Sequence, residues 1–165
     1  MASDTLTTLA TLVGARLKAR GWVLATAESC TGGWVAQAIT SISGSSAWFD
    51  RGFVTYTNQA KQDMLGVLPA TLDRHGAVSE QTALEMAVGA IAHSTGDIAL
   101  SVTGVAGPSG GTPEKPVGMV CFAWALKDGQ CRTITRHFGG DRESVRRQSV
   151  IAALQGVLES LEDRA

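Results

Sequence analysis

The stretch Ala27-Glu28-Ser29-Cys30-Thr31-Gly32-Gly33-Trp34 follows a short apolar run and opens a helix, and its reading decides the fold. Upstream, Trp22-Val-Leu-Ala-Thr-Ala27 is mostly apolar and bounded by Gly21, the pattern of a buried strand. Downstream, Trp34-Val-Ala-Gln-Ala-Ile39 has helical spacing. A turn from a strand into a helix gathers unpaired backbone N–H groups and the positive end of the helix dipole, so it suits an anion such as a phosphate. Ser29 and Thr31 add hydroxyls, and Gly32-Gly33 lets a ligand approach the backbone. The same hydroxyls would also serve as helix caps, and spacing alone leaves capping and ligand binding both open. The stretch lacks the Gly-Lys-Ser/Thr ending of a Walker loop and the Gly-x-Gly-x-x-Gly of a dinucleotide site.

Outward from this turn, the spacing predicts a packing helix over 4–20, with Leu6, Leu9, Val13 and Leu17 on one face. Ser41 to Ser46 is a second hydroxyl-rich loop. Trp48 to Tyr56 is aromatic and β-branched, a strand that delivers Tyr56 and Asn58 at its end, and 58–65 is a short helix carrying Lys61. Residues 71–75 read as a short helical or irregular link. A serine-capped helix comes next over 79–91, then a short apolar strand over 98–103. The glycine and proline density of 104–116 makes it a loop. Two strands, 117–125 and 130–138, flank an Asp-Gly hairpin signal, and a long helix over 141–161 closes the chain. Helices alternating with apolar strands, then a hairpin, predict one α/β domain over residues 1–165, a three-layer α/β/α sandwich with a mixed, mostly parallel sheet. If the first three strands run parallel, their ends at Glu28-Ser29, Tyr56-Asn58 and Thr103-Gly104 line one crevice.

Composition narrows the function classes. With 14 basic and 15 acidic residues there is no broad cationic surface for a nucleic acid, and no apolar run approaches the roughly 20 residues a membrane helix needs. The N-terminal Met-Ala-Ser-Asp-Thr carries no secretory pattern, so cytoplasm is the expected location. Cys30, Cys121 and Cys131 are odd in number and widely spaced, which argues against a disulfide framework and a zinc site, and neither metal nor cofactor is expected. Cys30 lies in the focal turn, where a packed small residue is the commoner reading than a nucleophile. His75, His93 and His137 sit in polar or terminal contexts, so a Ser-His-Asp arrangement is poorly supported. A serine activated by a lysine fits better: a partly desolvated Lys61 beside Tyr56 would have a lowered pKa and would accept a serine proton. The competing reading of Lys61 is an exposed helix charge.

Glu28-Ser-Cys-Thr-Gly-Gly33, Gly44-Ser-Ser-Ala-Trp-Phe49, Gly52-Phe-Val-Thr-Tyr-Thr-Asn58 with Lys61, Gly76-Ala-Val-Ser79, and Thr103-Gly-Val-Ala-Gly-Pro108 with Lys115-Pro-Val-Gly118 closely resemble the CinA C-terminal domain family. The resemblance spans nearly the whole chain. It implies a stand-alone member that hydrolyses the carboxamide of nicotinamide mononucleotide to nicotinate mononucleotide and ammonia. It also implies a serine-lysine amidase with a tyrosine helper, and a homodimer. Carried over motif by motif, Ser46 becomes the nucleophile, Lys61 the base and Tyr56 the residue that positions the proton or steadies the lysine. Ser29, Thr31, Thr103 and Arg142 would hold ribose or phosphate, with Gly32, Asn58 and Gly104 beside them. Arg142 suits phosphate because a guanidinium donates two parallel hydrogen bonds. Ser29, Ser45 and Ser46 all lie in matching motifs; Ser46 is preferred because its loop directly precedes the strand bearing Tyr56 and because the focal turn is better employed on phosphate. The alternative is a non-catalytic nucleotide-binding or regulatory module, since some relatives carry this domain fused to another.

Overall fold

Alternation of large and small side chains along the central strands sets the layer structure. Ile98, Leu100 and Val102 with Val120, Phe122 and Trp124 turn bulky groups to one face, while Ala99, Ser101, Cys121, Ala123 and Ala125 leave the other nearly flat. The computed structural model describes residues 2–162: α1 (Ala2–Arg20), β1 (Leu24–Glu28), α2 (Trp34–Thr40), β2 (Phe49–Val54), α3 (Asn58–Leu65), α4 (Pro69–His75), α5 (Glu80–Ala92), β3 (Ile98–Gly104), β4 (Met119–Leu126), β5 (Cys131–His137) and α6 (Arg142–Glu162). The strands form one sheet in the order β2-β1-β3-β4-β5. β1 runs parallel to both β2 and β3, whereas β4 and β5 close the sheet as antiparallel strands. Four strands therefore point one way, in the mixed, mostly parallel sheet that the sequence predicts.

On the bulky face lie α1, α2 and α6, whose Leu6, Val13, Leu17, Ile39, Val150, Leu154 and Leu161 complete the larger core. The last helix spends its apolar stripe there. On the flat face lie α3, α4 and α5, with Leu65, Leu72, Met86 and Ala90 packed against Ala25, Ala27 and Ala99. Small strand residues let α5 settle close enough for the Ser101 hydroxyl to donate to the Ala83 carbonyl at 2.6 Å. The short link after α3 is a helix whose first residue is Pro69, pre-set for that position.

Parallel pairing puts the C-terminal ends of β1, β2 and β3 at one edge of the sheet: Glu28 lies opposite both Val54 and Val102. The candidate site residues at those three ends share one rim. Among the described residues, no helix is long and apolar enough to cross a membrane.

Candidate active site

At the end of β1, the Ser29 N–H donates to Val102 O at 2.9 Å, which fixes the residue against β3. Its Oγ accepts from Lys61 Nζ at 3.0 Å. The lysine comes from one turn inside α3, a helix started by the Thr57 side chain, which accepts from the Ala60 N–H at 3.0 Å. Lys61 also donates to Thr55 O at 2.9 Å and lies 3.5 Å from Tyr56 O. Only 1% of it is exposed, and among the described residues no carboxylate forms an ion pair with it. Burial lowers the Lys61 pKa from 10.5 because the charged form loses its hydration. The exposed-charge reading of Lys61 is thereby replaced by a buried amine on a serine.

Ser46 is not brought to this lysine. It is exposed in a 3-10 turn, Ser45–Ala47, that precedes β2, whereas Lys61 lies beyond the other end of that strand. At about 3.3 Å per residue, β2 alone separates the two ends by roughly 16 Å. Ser45 is buried in the same turn, before the same end of β2. Of the three serines in matching motifs, Ser29 is the one in contact with Lys61.

Tyr56 turns its phenol away from the lysine. Its hydroxyl accepts from Arg142 Nη2 at 3.2 Å, and its side chain is largely open to solvent, the residue being 60% exposed. Arg142 Nη1 donates to Gly107 O at 2.8 Å, so this arginine bridges the β2 rim to the loop after β3. Asn58 is exposed at the start of α3. Gly104 ends β3 where a Cβ would lie 2.7 Å from Val120 Cγ2 and 2.9 Å from Met119 O, so β4 requires the glycine there. The Thr103 hydroxyl donates to Ala77 O at 2.8 Å, tying β3 to the loop before α5.

The N-terminus of α2, expected to receive an anion, already holds one. Glu28, 1% exposed, accepts from the N–H groups of Gly33 and Val35 through Oε1, at 3.2 and 2.9 Å, and from Ala36 N–H through Oε2 at 3.0 Å. The Thr31 hydroxyl donates to the same Oε1 at 2.6 Å. An internal carboxylate thus takes the place of a bound phosphate, and Thr31 supports that carboxylate. Sequence reasoning passed over Glu28, although an acid just upstream of a Gly-Gly helix start was a legible signal. It also passed over Arg146 of α6, which donates from Nε to Cys30 O and from Nη2 to Thr31 O, both at 3.1 Å. Its guanidinium lies 5.5 Å from the Trp34 ring centroid. Gly32 has φ 59° and a Cβ there would meet Arg146 Nη2 at 3.4 Å, so the glycine admits the arginine.

Cys30, 5% exposed, is packed below the turn. Burial pushes its thiol up to about 12, which leaves it protonated at neutral pH and a poor nucleophile. Among the described residues, no group of three His, Cys, Asp or Glu side chains is placed to hold a metal ion.

The model of the family described as the CinA C-terminal domain matches residues 6–161. The chain belongs to the CinA C-terminal domain family. Curated relatives include the "Nicotinamide-nucleotide amidohydrolase PncC" of Enterobacter agglomerans, 54% identical over 96% of both chains. The protein of that name from Escherichia coli K12 is 56% identical over 94% of both. Some family members are longer: a "CinA-like protein" of Syntrophobacter fumaroxidans is 53% identical to 87% of this chain, which spans 34% of it. Among solved structures, the competence/damage inducible protein CihA of Agrobacterium tumefaciens superposes with a TM-score of 0.92 at 47% identity, over 96% of each chain. A CinA superfamily protein of Klebsiella pneumoniae gives the same TM-score at 42% identity, over 96% of this chain and 98% of its own.

Proposed function

We propose that the protein is a nicotinamide-nucleotide amidohydrolase that converts nicotinamide mononucleotide to nicotinate mononucleotide and ammonia, with Ser29 as nucleophile and Lys61 as base. The observation that carries this reading is the buried Lys61 amine 3.0 Å from Ser29 Oγ, in a chain 54–56% identical to relatives of that name. The neutral amine takes the Ser29 proton as Oγ attacks the carboxamide carbon. Lys61, now an ammonium, returns the proton to the nitrogen as the C–N bond breaks, and ammonia leaves. Water, deprotonated by the same amine, then cleaves the Ser29 ester and releases the acid. The reaction needs no redox partner.

Oxyanion charge requires a donor close to the nucleophile. Backbone N–H groups of the turn that follows Ser29 are assigned that role. Arg142, with Asn58 and Gly104 on the same rim, holds ribose and phosphate, and Tyr56 acts through Arg142 rather than on the lysine. Thr31 and Thr103 serve the scaffold through their hydroxyls. The reading includes a cytoplasmic homodimer, which fractionation and analytical ultracentrifugation would check.

Ammonia release from purified protein given nicotinamide mononucleotide tests the function, with free nicotinamide and the riboside as controls and a chelator present. Mononucleotide-specific release is expected. Binding of the mononucleotide without release would favour the non-catalytic nucleotide-binding module.

A further inference from the structure

We infer that Thr55 is a positioning residue for the amidase reaction: its hydroxyl receives the Lys61 ammonium in the steps in which Ser29 Oγ is bonded to the substrate carbon. The inference rests on Ser29 and Lys61 being the reacting pair. Thr55 is 0% exposed, and among the described residues its Oγ1 has no hydrogen-bond partner. An unmade hydrogen bond of this kind costs stability, and one place where folds retain it is a catalytic centre.

The position of Thr55 in the sheet decides what its hydroxyl can meet. Glu28 lies opposite Val54 and Val102, and the ladder runs one residue further on both sides. The Thr55 N–H donates to Glu28 O at 2.8 Å, and the Ser29 N–H to Val102 O at 2.9 Å. Thr55, Ser29 and Thr103 therefore form a row at the ends of β2, β1 and β3, on the flat face with Phe53, Ala27 and Ser101, about 5 Å from strand to strand. The Thr103 hydroxyl is spent on Ala77 O and Ser29 Oγ on Lys61 Nζ, while that of Thr55 is unspent.

Lys61 Nζ bridges two members of this row, donating to Ser29 Oγ at 3.0 Å and to Thr55 O at 2.9 Å. Tyr56 O, at 3.5 Å, is at the outer limit of a hydrogen bond. Among the described residues no carboxylate forms an ion pair with the amine, so it depends on neutral acceptors. When Ser29 gives its proton to Lys61, Oγ bonds to the carboxamide carbon. Carrying two carbons, that oxygen is a poor acceptor. The ammonium directs one N–H at the departing nitrogen, keeps Thr55 O, and has a third N–H to place. Rotation about the Thr55 Cα–Cβ bond, beside the carbonyl that already holds the amine, brings Oγ1 to it. The same need returns when Lys61 takes a proton from the water that attacks the Ser29 ester.

An interaction made only in these steps lowers kcat and kcat/KM together when it is removed. Steady-state kinetics with nicotinamide mononucleotide would be measured for the wild type, Thr55→Val and Thr55→Ser, well below the melting temperature of each, and the three melting curves recorded. Thr55→Val keeps the shape and loses the hydroxyl. It is expected to melt at or above the wild type and to lose about 10-fold or more in kcat, with KM within about twofold. Thr55→Ser keeps the hydroxyl and loses a buried methyl. It is expected to melt lower than the wild type and to stay within a few-fold of its kcat. Activity and stability thus run in opposite orders, which a packing role would not produce. A Thr55→Val with wild-type kcat would overturn the inference, as would a Thr55→Ser as slow as Thr55→Val. A Thr55→Val that melts well below the wild type would also overturn it, since the hydroxyl would then have a partner in the resting fold. A wild type that releases no ammonia, or an active Ser29→Ala, would instead remove the amidase reading on which the inference rests.

Discussion

Between Ser29 and Lys61 the decisive quantity is the protonation state of an amine of which 1% is exposed. A protonated Lys61 donates to Ser29 Oγ at 3.0 Å and blocks it; a neutral one accepts the serine proton across the same contact. Burial lowers the lysine pKa below 10.5, so the neutral fraction at a given pH is larger than for an exposed lysine. The pH dependence of kcat/KM should accordingly rise through an ionisation below 10.5 and level off above it. A profile that falls with rising pH over that range would contradict lysine as the base. The sign for stability is the same: between the folded-state pKa and 10.5 the unfolded chain holds a proton that the folded chain has lost, so this residue's contribution improves as pH rises. At the residue scale the chemistry was legible in part. A lysine beside the only tyrosine pointed to a buried base, but the serine it contacts was out of reach of local reading. Ser46 was preferred for preceding the strand that ends near Tyr56, yet a strand carries the segments before and after it to opposite edges of the sheet. Ser29 is 32 residues from Lys61 in sequence and adjacent in space, because β1 and β2 pair in parallel.

For α2 the question is what occupies the end that four unpaired N–H groups would otherwise leave open. Glu28 answers it from inside the protein, and three of its acceptor contacts are backbone N–H groups of the helix start. Glu28→Ala leaves the buried Val35 N–H and the part-buried Gly33 and Ala36 N–H groups without this partner, and the loss is expected to be about 2–4 kcal/mol. A domain of 165 residues should then melt roughly 5–15 °C lower, at about 2–4 °C per kcal/mol. A melting temperature within a degree or two of the wild type would show that the carboxylate is not the cap. Elements themselves were readable, since periodicity and glycine stops mark their ends: 58–65 was predicted to be a helix and is α3, closed by Gly66 at φ 70°. What capped α2 was hidden because serine and threonine are the usual caps and both stood in the turn. Arg146 lay one helical turn beyond Arg142 on α6, on the same face, and that spacing was the signal for it.

In the whole molecule, the bulky and flat faces of one sheet decide how near each layer of helices sits. On the bulky side the Trp124 ring needs a gap in α6, and Gly156 supplies it: a Cβ there would lie 1.9 Å from Trp124 Cζ2. The indole N–H donates to Ala153 O at 3.0 Å, and the ring stacks on Phe122 with centroids 5.9 Å apart, so it is not free to retreat. Gly156→Ala gains about 1 kcal/mol of helix propensity and loses about 1–3 kcal/mol or more to overpacking. Overpacking should win, with a melting temperature lower by a few degrees in calorimetry; an unchanged or raised value would mean that α6 slides past the ring. The architecture was legible because strand and helix periods differ along most of the chain. The large and small alternation of β3 and β4, which assigns each helix its side, was equally present and was not used.

The most direct test of the central claim is a side-by-side turnover measurement of Ser29→Ala and Ser46→Ala on nicotinamide mononucleotide, with melting curves to establish folding. Ser29→Ala is expected to lose at least about 10³-fold in kcat while Ser46→Ala stays within a few-fold of wild type. The reverse pattern, an active Ser29→Ala beside an inactive and folded Ser46→Ala, would contradict the assignment of Ser29 and Lys61 as the reacting pair.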